Sequence, residues 1–504
     1  MESLFNKGKL FLLAFLLLLV HFDGHSQNYY AIQGSNYAGS LGIGNNPASI
    51  VNTPYKWDID ILSVQAKNAT NGVVVHNYSL FSNPKKSKYS FREGDYRRFA
   101  YSDFNINLLN ARVALNRRQA IGFGVNLRGY AQVSSGPVNF IDTLKTTRDF
   151  FDLGNDNRKL YGDLIHSSWI EVFATWAQTI WDRTDSRLNA GITAKISRGI
   201  SGAYTNLLNG SAIQTIHTNS YEYTMQDVYA EYGYSNNYDN WQKGKSTSQN
   251  LNDFLTQTRA GLSFDLGVEY IIKSSQIPTA LDDDDTYYDY DWKIGLSLLD
   301  IGFNQFKYGK NSRIISGFQN NITDTVLDQQ FTHIKNLQEF NDKLVGIAGS
   351  IQQPTGMFQV INPARLVLNV DHYLFGAWYV NGNASLNLSS LSGHQWRLTE
   401  LNMLTITPRW ETKRWGFYLP VQFNTKEQLW VGGAFKAGPL LLGIHNWANV
   451  FSKNKMQNGG AYIAIVIRPG KNTAERTDKR LDCPRVGTKF TKNRLGQKLS
   501  CPPR

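Results

Sequence analysis

Cysteine is nearly absent from this chain. There are two in 504 residues, Cys483 and Cys501, both close to the C-terminal end. A disulfide framework for the body is therefore excluded, and two thiols fall short of the ligand set of a structural zinc site. Catalytic signatures are missing too: there is no GxSxG, no HExxH and no CxxC. Gly42 and Gly44 begin like a dinucleotide fingerprint, but Pro47 stands where the third glycine belongs. The residues thus imply no cofactor, no metal centre and no enzyme. Long apolar runs are scarce. After the first two dozen residues nothing approaches the ~18 apolar residues of a membrane helix, and the best stretch is 461–467. Helical periodicity is missing as well; its loosest candidate, 326–344, is weakly spaced.

Charge of one sign is missing from the body. The formal charge of +12 is concentrated after residue 467, where eleven Lys or Arg face three acids, leaving +4 for residues 27–467. A nucleic-acid partner is not implied. Residues 1–26 carry Lys7 and Lys9, an apolar stretch over 10–20, and Gly24 and Ser26 before Gln27. That is the pattern of a secretory signal peptide. An exported chain without membrane helices is either soluble or a membrane β-barrel.

What fills the chain instead is alternation. Residues 110–130 read NARVALNRRQAIGFGVNLRGY. Leu109, Ala111, Val113 and Leu115 alternate, 116–119 form a turn, and Ile121, Phe123, Val125 and Leu127 alternate again. In strands this gives one apolar face and one polar or glycine-rich face. The pattern recurs in 187–199, 378–388 and 415–423, with Asn, Ser, Thr and Lys on the second face. Seventeen candidate segments emerge, near 55–66, 72–81, 99–108, 109–116, 120–131, 168–180, 187–198, 220–232, 258–272, 291–300, 363–374, 376–388, 402–411, 414–424, 428–437, 439–449 and 460–468. With some of these lying outside the membrane, about 14 strands cross it. Aromatic residues make up 13% of the chain, and many flank the segments: Tyr55, Trp57, Tyr130, Trp169, Trp181, Trp292, Trp378, Trp410, Trp415, Trp430 and Trp447. Tight connections at 116–119, 411–414 and 425–427 contrast with long polar ones at 131–166, 199–219, 233–256 and 302–345. Aromatic girdles and unequal loops mark a transmembrane barrel, not a soluble sandwich. The expected fold is all-β, an antiparallel outer-membrane barrel over 55–468 whose apolar face meets lipid. Asn126, Arg128, Lys195 and Asn383 face the lumen.

Two stretches, GIGNNPASIVNTPYKWDIDIL (42–62) and KIGLSLLDIGFNQFKYG (293–309), resemble a family of uncharacterised Bacteroidetes outer-membrane proteins. The placement of Asn46, Pro47 and Ala48 is similar to that in the long-chain fatty-acid transporter superfamily. The resemblance implies that these three residues belong to a segment plugging the barrel and that hydrophobic or small molecules are cargo. A barrel of this size has an interior that its own side chains do not fill, and residues 27–54, rich in Asn, Gly and Ser, precede the first strand. The final strand, AYIAIVIRP, departs from the usual terminal aromatic.

The basic tail, 469–504, is expected on the periplasmic side, with Cys483 and Cys501 paired. Peptidoglycan or an acidic periplasmic protein is its expected partner. Residues 282–285, all Asp, with Asp289 and Asp291, read as a solvated acidic loop; the runner-up is a calcium site. Two functions remain in view: a plugged transport barrel, and a non-transporting barrel that anchors or shuttles proteins at the cell surface in secretion. A strongly apolar lumen pocket favours the first. A filled lumen with apolar surface on the long loops favours the second.

Overall fold

The computed structural model describes residues 30–79, 83–242, 244–256, 258–273, 290–448 and 456–469. Fourteen antiparallel strands close into a barrel. They are β1 (Trp57–Thr70), β2 (Gly94–Asn116), β3 (Gln119–Phe140), β4 (Leu160–Asp182), β5 (Ser186–Ile216), β6 (Ala260–Lys273) and β7 (Tyr290–Lys307). There follow β8 (Arg365–Phe375), β9 (Trp378–Asn387), β10 (Met403–Glu411), β11 (Trp415–Tyr418 with Val421–Asn424), β12 (Leu429–Val431 with Gly433–Ala437), β13 (Leu440–Ile444) and β14 (Asn458–Ile467). β14 returns to β1 with Ile59 opposite Ile467 and Asp60 opposite Val466, so the barrel has no open edge. In lipid that closure is required, because no water is present to bond a free strand edge. The protein is an outer-membrane barrel.

The seventeen segments reduce to fourteen for two physical reasons. Those near 99–108 and 109–116 are halves of β2, separated by a register shift between Asn107 and Leu109. Those near 72–81 and 220–232 lie outside the barrel. Val73–His76 pairs with Lys88–Phe91 in a separate two-stranded sheet, and Tyr221–Tyr234 folds back along the upper part of β5. Local alternation reports a half-buried strand, whatever covers its other face.

The hairpin of β2 and β3 shows the barrel logic. Leu109 and Phe123 stand exposed on the outside, while Asn110 and Arg112 are buried inside. The same holds on β5, where Ile192 and Ile196 face outward and Asn189, Thr193 and Lys195 inward. Exposed Trp57, Trp181, Trp292, Trp378 and Trp415 all sit at the strand ends of one rim. This is the periplasmic rim, where both chain ends of the barrel and the short turns 117–118, 183–185 and 412–414 lie. The tight turn at 425–427 is an exception, since it joins β11 to β12 at the opposite rim with the long loops. Four aromatics that the sequence assigns to the girdles point inward instead: Tyr55, Tyr130, Trp169 and Trp430 are all buried.

Helices correct a second expectation. Thr147–Asp152, Thr247–Thr256, Asp324–Phe331 and Leu337–Val345 are α-helices in the extracellular loops. Two of them occupy the weakly periodic stretch 326–344. They are short, so period carries little signal, and side chains stabilise their ends: Thr146, Thr323 and Asn336 each accept from a first-turn N–H. Phe151, Tyr223, Met225, Ile315, Ile322 and Leu344 give this extracellular cap its own core.

Candidate functional site

Between residue 30 and β1 the chain lies inside the lumen as three short 3-10 turns, Tyr30–Ile32, Gly39–Gly42 and Pro47–Val51. The third turn is set locally. Asn46 is extended, its side-chain carbonyl accepts from Ala48 N–H at 2.9 Å, and Pro47 occupies a first position that needs no N–H. Gly39 takes φ +58° where the chain passes Asp58, a conformation that a side chain disfavours.

The wall is shaped to this segment. Four strand glycines face it, and any Cβ added to them collides with it. At Gly122 the Cβ meets Ile43 Cδ1 at 2.7 Å, at Gly191 the Pro47 carbonyl carbon at 2.6 Å, at Gly267 Pro47 Cδ at 2.9 Å, and at Gly295 Asn46 Nδ2 at 2.8 Å. Asn46, Pro47 and Ala48 therefore lie in a glycine seat built from β5, β6 and β7. Hydrogen bonds hold the rest. Arg112, fully buried, donates from Nε to Ile50 O and from Nη1 to Tyr55 O, both at 2.6 Å, and pairs with Asp58 at 3.5 Å. Ser35 donates to Glu411 (2.6 Å), Lys293 to Asn36 Oδ1 (2.6 Å), and Ser297 to Asn45 O (2.7 Å). Apolar contacts add to them: Ala31, Ile32, Ala38 and Leu41 pack on Tyr418, Leu441, Tyr462, Ala464 and Val466, and Ile43 and Ile50 on Ala120, Phe173 and Ala177.

Above this segment lies a belt of buried charge. Arg128 makes a two-pronged contact with Asp300, at 2.5 and 2.8 Å. Lys195 donates to Asp300 and pairs with Asp265, both at 2.7 Å. Arg365 joins Glu400 at 2.8 Å. Asn126 donates to Glu171 at 3.2 Å, beside the belt. Asn383 is buried on β9 and lines a separate crevice against the luminal segment with Asn45, Lys293 and Ser297. Of the four lumen residues read from the sequence, the structure brings Arg128 and Lys195 together, sets Asn126 next to them and leaves Asn383 apart. Sequence reasoning missed Asp265, Asp300, Glu171, Arg365 and Glu400. One signal was available for Asp300. In Leu298, Leu299, Asp300, Ile301 alternation breaks, and there the register shifts and Asp300 takes φ +57°.

The extracellular mouth is covered by the 388–402 connection, which dips into the barrel. Trp396 stacks on Tyr204 with ring centroids 3.7 Å apart. Leu398 packs among Tyr130, Trp169, Phe306 and Phe358. Gln132 accepts from Thr399 N–H and Oγ1 at 2.7 and 2.8 Å, and donates to Arg397 O at 3.0 Å. What remains between plug and belt is a cavity of about 50 Å³ lined mostly by polar groups, among them Ser40, Asn110, Asn126, Arg128 and Lys195. That is room for a water or two, since a water's share of liquid is about 30 Å³.

Residues 1–26, the tail from 470 with Cys483 and Cys501, and the acidic run 282–289 lie outside the described residues. Among the described residues no group of His, Cys, Asp and Glu could hold a metal.

Comparison with solved structures finds matches over most of both chains at low identity. A FadL homologue from Pseudomonas aeruginosa shares 10% identity and a TM-score of 0.38, over 88% of this chain and 97% of that one. The toluene transporter TbuX of Ralstonia pickettii shares 12% and 0.40, over 88% and 98%. The toluene transporter TodX of P. putida shares 10% and 0.37, over 85% and 93%. No curated protein matches the sequence. Residues 47–444 match DUF5723, a family of unknown function, and the match runs from the plug's Pro47 through β13. The chain belongs to the DUF5723 family.

Proposed function

We propose that this barrel is a channel for small polar solutes, stoppered by residues 30–56. The observation that carries the reading is the glycine seat: four strands give up side chains where the plug passes. Hydrogen bonds and buried apolar side chains such as Ile32, Leu41, Ile43 and Ile50 keep the segment there, so the stoppered barrel is the resting state. The lining bears on the kind of cargo. The lumen cavity is bordered by amides and charges, which an apolar solute would have to desolvate. The reading therefore favours small polar cargo over hydrophobic molecules. In liposome-swelling assays the chain lacking residues 30–53 should admit small sugars and amino acids, and the whole chain should admit them slowly. A plug-less barrel that stays folded and admits nothing would overturn the reading.

A second reading rests on the extracellular cap. β5 runs for 31 residues, where a membrane crossing takes about 10, and the cap exposes Ile216, Val345 and Leu391. Such a surface suits a barrel that anchors or shuttles proteins, and an inert plug-less barrel would point there.

A further inference from the structure

A cavity of about 290 Å³ opens on the extracellular side between the dipping 388–402 loop and the walls of β2 to β5. It lies above the charge belt, separate from the plug. Its volume falls near the lower end of the roughly 300–1,000 Å³ of small-molecule sites. Its lining includes Tyr101, Gln132, Asp163 and Asn206 from the walls, and Trp396 and Arg397 from the loop. Most of the amides are committed. Gln132 holds the loop backbone, and Gln395 donates to Glu231.

Two charges are not committed. Asp163 accepts from Ser134 through Oδ1, and Oδ2 has no partner among the described residues. Arg397 donates from Nη1 to His394 O at 2.8 Å and meets no carboxylate among the described residues. Both line one cavity, yet they form no ion pair with each other. Opposite charges that line one cavity without pairing with each other are each open to a complementary charge on a solute. Trp396, stacked on Tyr204, supplies an aromatic part of the same lining.

We infer that this cavity binds a small zwitterion, an amino acid or dipeptide, with its carboxylate on Arg397 and its ammonium on Asp163. The inference rests on the channel reading only for its purpose, as an entry site for cargo; binding itself needs no passage. Because Arg397 and Thr399 belong to the loop that Gln132 holds, a bound solute also touches the loop that covers the mouth.

The test is calorimetry on the full-length protein in detergent, with phenylalanine, N-acetylphenylalanine, phenylalanine amide and glucose as probes. Free phenylalanine should bind, and blocking either its amine or its carboxylate should weaken binding at least tenfold. Asp163→Asn and Arg397→Gln should each weaken phenylalanine at least tenfold. Heat-modifiable migration on gels confirms that each variant is a folded barrel. Equal binding of all three phenylalanine forms, binding of glucose alone, or no binding at all would overturn the zwitterion site. None of these results touches the swelling assay, so the two ideas fail separately.

Discussion

Residue by residue, the interior is held by a few side chains whose removal should be felt far beyond their own contacts. Arg112 spans plug and wall: it bonds two plug carbonyls and pairs with Asp58, which in turn accepts from Ser40 N–H at 2.5 Å. Arg112→Met leaves a buried carboxylate unpaired, a loss of about 3–5 kcal/mol. We expect a lower unfolding midpoint in detergent and faster protease cleavage within residues 30–56; a variant with unchanged cleavage would show that the plug is held elsewhere. Gly267 tests the seat by addition. A valine there drives into Asn46 and Pro47, and overpacking of this kind costs about 1–3 kcal/mol unless the plug moves away. Gly267→Val should therefore raise solute flux through the barrel, while the same change at Gly382, where an added Cβ meets nothing nearer than Val370 O at 3.9 Å, should not.

Elements differ in how much of themselves they show to a reader of the sequence. The barrel strands are legible because each has one face in lipid and one in a polar lumen, so period 2 is enforced over many residues. β2 was split because a bulge at Asn107 inverts the pattern midway. The loop helices stayed hidden because two turns of helix offer few positions to compare, and their ends depend on single caps. The helix Thr147–Asp152 shows this. Asp149 accepts from the Lys145 and Thr146 N–H groups at 3.0 Å each, and those bonds hold its carboxyl below the usual carboxylate range. A depressed folded pKa contributes stability above the unfolded value, and that contribution disappears as pH falls through the folded one. Protection of the amides in residues 147–152, relative to their intrinsic exchange at each pH, should thus fall in acid in the natural chain, whereas in Asp149→Asn it should already be low at neutral pH and less sensitive to acid. Identical profiles would remove the capping box from the account. The dipping loop belongs to this scale too. Deleting 391–399 should widen the conductance of a plug-less barrel, since Trp396 and Leu398 then leave the mouth.

At the scale of the whole molecule, three layers stack along one axis: the plug in its seat, the charge belt, and the covered mouth beneath an extracellular cap. The sequence alone reveals the enclosing wall, because lipid imposes the same rule on every strand. It reveals little of what fills that wall. Arg128 and Lys195 can be assigned to the inward face from alternation, but their partner Asp300, Lys195's Asp265, and Arg365 and Glu400 behind Asp300 come from strands and a loop far away in the chain. Only closure of the barrel brings such residues together. The glycine seat was invisible for a similar reason, since a strand glycine reveals its purpose only when its neighbour across the lumen is known. The proposed channel requires that residues 30–56 occlude an otherwise passable barrel. Single-channel recording in planar bilayers addresses it most directly, comparing the whole chain with one lacking 30–53. The whole chain should be almost silent and the shortened one should show discrete, sustained openings. Equal conductance from two folded barrels would contradict it.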